Sequence, residues 1–252
     1  MIALTIGEIA RIVHGQMTQL DPDLVVDQYP VIDSRLASPQ TFFVAYQGEN
    51  VDGHDFVSAA ISAGAPFALV SKQVDAPSIQ VSDVTKALSI LAHEVRKRLG
   101  ALTVIGITGS QGKTTTKDLL RHILEIEGAT VAPEGSLNNE IGVPLTLLKC
   151  DESTRYCILE MGARHIGDIA RLVEIAEPTV GMVLVVGSAH VGEFGSRENI
   201  AEAKAEMISS LPDGATAIVP VQAGPKSDKI SPNKLLATTT SKRSGFITKC
   251  AA

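Results

Sequence analysis

The residues Thr108-Gly-Ser-Gln-Gly-Lys-Thr-Thr115 bring together the types needed to hold a phosphate chain. Gly109 and Gly112 allow a tight turn, so that several backbone N–H groups can face phosphate oxygens. A helix that starts there adds the partial positive charge of its N-terminus. Lys113 offers a cation to the β- and γ-phosphates, and the Thr114 hydroxyl is placed to sit on Mg²⁺. Ser110, Gln111 and Thr115 complete this candidate nucleotide-binding loop. The spacing departs from GxxxxGK[ST]: Ile107 occupies the first glycine position, and Gly106 lies one residue earlier. A Gly-rich turn without a ligand is the competing reading. The apolar strand before the loop and the helix after it favour phosphate.

Other residues gain meaning from the elements around them. Glu160 ends an apolar run, Tyr156 to Met161, that reads as a buried strand. Open α/β sheets place ligands at the carboxyl ends of their strands, and a carboxylate there suits Mg²⁺. By itself it is equally a solvated strand end. Asn138 and Asn139 can donate to and accept from a substrate or a phosphate, or simply form a turn. His190 follows the strand-like run Val180 to Val186, where a lone histidine is ordinarily a surface or packing residue. Lys204 stands in a helical stretch between Glu202 and Glu206, as an exposed helical lysine would. Asp33-Ser-Arg35 reads as an exposed charged turn.

Two domains must position these groups. The first, residues 1–100, reads as a small mixed α/β unit. Thr5 caps a helix bearing Ile6, Ile9, Ala10 and Val13, with Glu8 at the capping-box position and Gly15 as a stop. Strands are expected at 41–46, 67–70 and 79–81, and helices at 55–63 and 85–99, the latter closed by Gly100. From residue 101 to about 220 the pattern becomes alternating. Strands at 103–108, 156–161, 180–186 and 215–219 are separated by helices at 113–127, 166–176 and 200–211. Such alternation predicts a doubly wound α/β sheet. Residues 221–252 hold six basic residues against one acid and show no lasting periodicity. They read as a poorly ordered tail, or as a basic interaction arm.

Composition bounds the function classes. The 252 residues carry a net charge of −6, which divides into −11 for the body and +5 for the tail. An acidic body without Trp and with 4% aromatic residues argues against a nucleic-acid partner or a base-stacking platform. The three cysteines, Cys150, Cys157 and Cys250, form no CxxC pair, so neither a disulfide framework nor a zinc site is expected. No N-terminal signal peptide is evident, and no apolar run approaches a membrane span. Both point to a cytoplasmic protein without membrane insertion.

The ordered motifs resemble those of the Mur ligases, the ATP-dependent amide-forming enzymes of peptidoglycan precursor synthesis. The series begins with Asp33-Ser-Arg35, Phe42-Phe-Val-Ala45, Gly48 and Asp52-Gly-His-Asp-Phe56. It continues with Gly106 to Asp118, Asn138-Asn-Glu-Ile-Gly-Val-Pro-Leu-Thr-Leu-Leu148 and Glu160-Met-Gly-Ala-Arg164. Gly187 to Ser196 and Ala203-Lys-Ala-Glu206 complete it. Asn138-Asn139 with Pro144 to Leu148 looks most like the branch that adds a dipeptide. The resemblance implies an N-terminal UDP-sugar domain and a central ATP domain. It also implies a third, Rossmann-like domain, which residues 1–252 are not expected to contain, so the chain reads as truncated and its ATP domain as incomplete. The implied reaction adds D-alanyl-D-alanine to UDP-N-acetylmuramoyl-tripeptide through an acyl phosphate, with ATP and Mg²⁺ as cofactors and a monomeric enzyme.

The resemblance also carries residue roles. Lys113, Asn138, His190 and Lys204 would be catalytic. Thr114, Glu160, His190 and Lys204 would serve the metals, with Lys204 carbamylated. Asp33, Ser34, Arg35, Asn138 and Asn139 would contact substrate. Two other readings stand beside this one: a non-catalytic UDP-sugar- or ATP-binding fragment, and another amide ligase of the superfamily, such as a diaminopimelate- or lysine-adding enzyme or a folylpolyglutamate synthase.

Overall fold

The computed structural model describes residues 1–48, 50–186, 194, 196–220 and, as backbone, 235–239. The chain divides into two units, one of Met1–Gly100 with Pro144–Ser153, the other of Ala101–Val143 with Thr154–Ala252. Segment Pro144–Ser153, which the sequence reading put in the second domain, thus belongs with the first.

In the first unit, α1 (Ile6–Ile12) starts at the expected capping box. Thr5 Oγ1 accepts the Glu8 N–H at 3.1 Å, and Glu8 Oε2 accepts the Thr5 N–H at 2.9 Å. Strands β1 (Leu4–Thr5) and β3 (Val25–Val26) form a small antiparallel pair. The main sheet comprises β2 (Gln16–Thr18), β4 (Tyr29–Val31), β5 (Thr41–Val44), β6 (Ala68–Val70) and β7 (Ser78–Gln80), in the order β2-β7-β6-β5-β4. Only the β2–β7 pair is antiparallel. Strand β4 escaped the sequence reading because Pro30 interrupts it; as an edge strand it tolerates a residue without an N–H. Helix α2 (Val57–Ser62) follows a 3-10 turn, Gly53–Phe56, where a single longer helix was expected. The Asp52 side chain caps that turn by accepting the His54 N–H at 3.0 Å. Helix α3 (Val84–Arg98) buries Leu88, Leu91, Ala92 and Val95 of the stripe its periodicity predicts, with Ala87 in addition; Leu99 of that stripe is buried at the C-cap. The Phe42 and Phe67 rings stack 4.7 Å apart in this unit's core.

The second unit is built on six strands: β8 (Thr103–Thr108), β9 (Thr130–Val131), β10 (Tyr156–Glu160), β11 (Val180–Val183), β12 (Thr216–Pro220) and β13 (Leu235–Thr239). Their order is β13-β12-β11-β8-β10-β9, parallel except for β13. The connecting helices are α4 (Lys113–Glu127), α6 (Asp168–Ala176) and α7 (Arg197–Ser209), while α5 (Gly142–Leu147) starts in this unit and continues into the segment that belongs to the first. This is the doubly wound α/β sheet expected from the alternation. After β8 the chain runs to the edge strand β9 and returns to β10 beside β8, then crosses to the other side for β11 and β12. The reversal leaves a crevice beyond the carboxyl end of β8, between β10 and β11, where such sheets bind ligands. Strand β13 lies in the tail that was read as lacking periodicity. It pairs Leu235–Thr239 antiparallel against the edge strand β12. Among the described residues no helix is long and apolar enough to cross a membrane.

Candidate nucleotide site

The Gly-rich loop sits at that reversal point. Ile107 stands at the first glycine position of the motif because the chain there is still strand: it is fully buried in β8, and the turn begins only at Gly109. A Cβ on Gly109 would lie 2.9 Å from Leu184 Cβ, so glycine is needed for this close approach. Gly112, at φ +83°, takes the left-handed conformation just before the first turn of α4. The loop is tied to the chain after β11, with the Ser110 N–H donating to Val185 O at 2.8 Å. Lys113 folds back so that its Nζ donates to Gly109 O at 2.9 Å. The loop, the lysine and the N-terminus of α4 therefore face one space.

Glu160 ends β10 directly beside β8, in register with Ile107. Its side chain is completely buried. Oε2 accepts the Thr114 hydroxyl at 3.3 Å, which joins the two residues expected at a metal. Oε1 has no hydrogen-bond partner among the described residues, and neither has the buried Thr108 Oγ1 at the end of β8. Leaving a buried polar atom unpaired costs about 1–3 kcal/mol. Both orphans lie at the carboxyl ends of neighbouring strands, in the ligand crevice. An oxygen-rich corner of carboxylate and hydroxyl suits a hard cation such as Mg²⁺, and the adjoining loop suits its phosphates. The residues present thus fit a magnesium-bound nucleotide.

Lys204, on α7, is buried rather than solvated at 5% exposure. Burial, aided by the nearby charge of Lys113, pushes its pKa down to about 8, while Glu206 and Asp168 oppose the shift. Glu206 holds α7 to the start of α6, accepting the N–H groups of Gly167 at 2.5 Å and Ala170 at 3.0 Å. Asn138 lies beside the strand end, its carbonyl accepting the Gly162 N–H at 2.7 Å. Its side-chain amide donates to Ser136 Oγ at 2.8 Å. Asn139 takes the turn role instead: its Oδ1 accepts the N–H of Gly142 at 2.9 Å, at the head of α5. His190 lies outside the described residues. Among the described residues no group of three or more His, Cys, Asp or Glu forms a metal cluster.

Ser34–Leu36 form a 3-10 turn of the first unit, capped by Asp33, whose side chain accepts the Arg35 N–H. The exposed Arg35 clasps Asp33 through contacts of 2.6 Å and 2.9 Å, and with the Arg35 backbone N–H it lowers the Asp33 carboxyl to about 2. One residue of the second unit escaped the sequence reading. Lys117, one helical turn beyond Lys113, is buried with its Nζ 3.9 Å from Glu160 Oε1. Its spacing was the available signal: residue i+4 from the loop lysine and i+3 from Thr114 shares their face of α4.

The family model for the Mur ligase middle domain matches residues 107–246, and that for the Mur ligase family catalytic domain matches residues 31–97. The chain belongs to the Mur ligase family. The middle-domain match continues past Pro220, where the ordered motifs end, and includes β13. UDP-N-acetylmuramoyl-tripeptide–D-alanyl-D-alanine ligase of Mycobacterium tuberculosis is 42% identical over 246 residues, covering 87% of this chain and 48% of the relative. The Escherichia coli enzyme of the same name is 38% identical over 221 residues, with the same coverage. Among solved structures, MurF from Acinetobacter baumannii superposes with a TM-score of 0.79 at 35% identity, covering 87% of this chain and 49% of that one. MurF ligase of Thermotoga maritima in complex with ADP gives 0.69 at 37% identity, covering 77% and 46%. The chain thus spans about half the length of the curated relatives it matches. As a Mur ligase chain it places its Gly-rich loop where doubly wound sheets put ligands.

Proposed function

We propose that this chain supplies the nucleotide-binding and UDP-sugar-binding parts of an ATP-dependent amide ligase. The reaction joins D-alanyl-D-alanine to the free carboxylate of UDP-N-acetylmuramoyl-tripeptide in peptidoglycan precursor synthesis. The observation that carries the reading is the buried Glu160, with one unpaired oxygen and the other on Thr114, beside a glycine loop and Lys113. The names of the relatives supply the substrates, and the ADP-bound relative supports nucleotide use.

In this reading the loop N–H groups and Lys113 hold the β- and γ-phosphates, while Thr114 and Glu160 hold Mg²⁺. Bound there, Mg²⁺ would neutralise phosphate charge, and phosphoryl transfer depends chiefly on such positioning and charge stabilisation. The substrate carboxylate attacks the γ-phosphorus to give an acyl phosphate and ADP. The amine of D-alanyl-D-alanine then displaces phosphate to form the amide. Lys204 serves as a carbamate: its neutral amine adds CO₂ and releases a proton, which its lowered pKa favours. With His190 it completes the metal set. Asn138 serves the substrate side while Asn139 holds the turn at the head of α5, and Asp33, Ser34 and Arg35 of residues 1–100 contact the uridine nucleotide. Residues 101–143 and 154–220, with β13, form the ATP domain. We place the protein in the cytoplasm as a monomer.

A coupled assay of ADP release, with both substrates present, tests the ligase reading. Release that requires UDP-N-acetylmuramoyl-tripeptide and D-alanyl-D-alanine together supports it; nucleotide binding without release favours a binding fragment.

A further inference from the structure

We propose that Lys117 is a positioning residue of the nucleotide site, fixing the Glu160 carboxylate for Mg²⁺ and tying the 133–138 segment to it. The inference rests on the nucleotide-site reading above. On α4 the core-facing positions one and two turns further on are Leu120 and Leu124, which pack against the sheet. Helical periodicity would put another apolar residue at 117, because a buried ammonium is costly unless it is paired. Here it is 3% exposed and fully engaged. Nζ donates to Pro133 O at 3.0 Å and Gly135 O at 3.4 Å, and reaches Asp118 Oδ1 at 3.0 Å. Two of the three ammonium donors are thus hydrogen-bonded, and the Asp118 carboxylate offsets the charge. Glu160 Oε1 then stands 3.9 Å away, attracted but not hydrogen-bonded.

The contacts close a circuit. Lys117 holds the carbonyls of Pro133 and Gly135. Ser136, next in the chain, accepts the Asn138 side-chain amide at 2.8 Å. The Asn138 carbonyl takes the Gly162 N–H at 2.7 Å, two residues beyond Glu160. One cation therefore sets both the carboxylate and the backbone that presents Asn138. Partners that orient a metal ligand without touching the metal are typically worth about 10–100-fold in metal affinity.

The sign of the effect separates this role from simple charge balance. If Lys117 only competed with Mg²⁺ for Glu160, its removal would tighten Mg²⁺ binding. If it orients the carboxylate, removal weakens it. The test titrates the 252-residue protein with mant-ADP at varied MgCl₂, using wild type, Lys117→Met and Lys117→Gln, with melting temperatures recorded for each. We expect mant-ADP binding without metal to stay within about twofold, and the MgCl₂ needed for half-maximal strengthening to rise roughly tenfold or more. Glutamine keeps a donor for one carbonyl and covers the case in which Lys117→Met does not fold. An unchanged or lower MgCl₂ requirement in a folded variant overturns the proposal, even if the melting temperature falls. Failure of the wild type to bind mant-ADP overturns the nucleotide-site reading itself.

Discussion

Replacing Lys204 with Met should stabilise the second unit while destroying the proposed catalytic function. The lysine is 5% exposed, and its pKa is lowered from the ordinary 10.5 to about 8, first by burial and then by the charge of Lys113. In the unfolded chain the amine keeps its ordinary value. Below pH 8 the folded state must therefore hold a charge it disfavours, at a cost of roughly 3 kcal/mol. The cost fades as pH rises from 8 and is gone above 10.5, where neither state is protonated. Methionine has a similar length and no charge. In CO₂-free buffer at pH 7, Lys204→Met should raise the melting temperature by roughly 2–4 °C for each kcal/mol recovered. Its advantage over wild type should shrink steadily towards pH 10.5. Differential scanning calorimetry of both proteins across pH 6–10 measures this. A variant less stable at pH 7, or an advantage independent of pH, would refute the electrostatic reasoning.

Three further outcomes are expected. Gly109→Ala puts a Cβ 2.9 Å from Leu184 Cβ, a strain of about 1–3 kcal/mol. Relieved by shifting the loop, it should weaken mant-ADP binding roughly tenfold; unchanged affinity would show that the loop need not approach Leu184. Arg35→Met should raise the Asp33 pKa from about 2 towards the ordinary 3.8, followed by carboxyl NMR. The wild-type clasp stabilises the folded state above pH 4 and is lost as pH falls to 2, so equal titration in both proteins would remove it. Thr5→Ala breaks the capping box and should destabilise α1 by about 1 kcal/mol, read as faster amide exchange in α1 with no change at α4.

Where the sequence was legible, local physics and tertiary context agreed. The capping box at Thr5 and Glu8, the apolar stripe of α3, and the loop between β8 and α4 are each written in a few neighbouring residues. What escaped depends on partners distant in sequence. Pro30 has no N–H to give a sheet, and only the position of β4 at the sheet edge makes it harmless. Pro144–Ser153 sits among residues of the second unit in sequence yet belongs to the first, which no local period can reveal. Strand β13 exists by pairing with β12, in a stretch whose charge suggested an unstructured tail. At the site, Lys113, Thr114 and Glu160 come together as the residue types implied. Asn139 spends its side chain on the backbone of α5. The burial of Lys204 and Lys117 was hidden, because a lysine on a helix ordinarily reaches solvent, and only the fold shows which ones cannot.

In the proposed reading the crevice beyond β8 binds a magnesium nucleotide. Amide NMR of the 252-residue protein during titration with MgADP reads this out residue by residue. We expect saturable shifts concentrated at Gly109 to Thr115, with further changes at Glu160, Met161 and Val185. Saturable shifts centred elsewhere, or none at these residues, would contradict it.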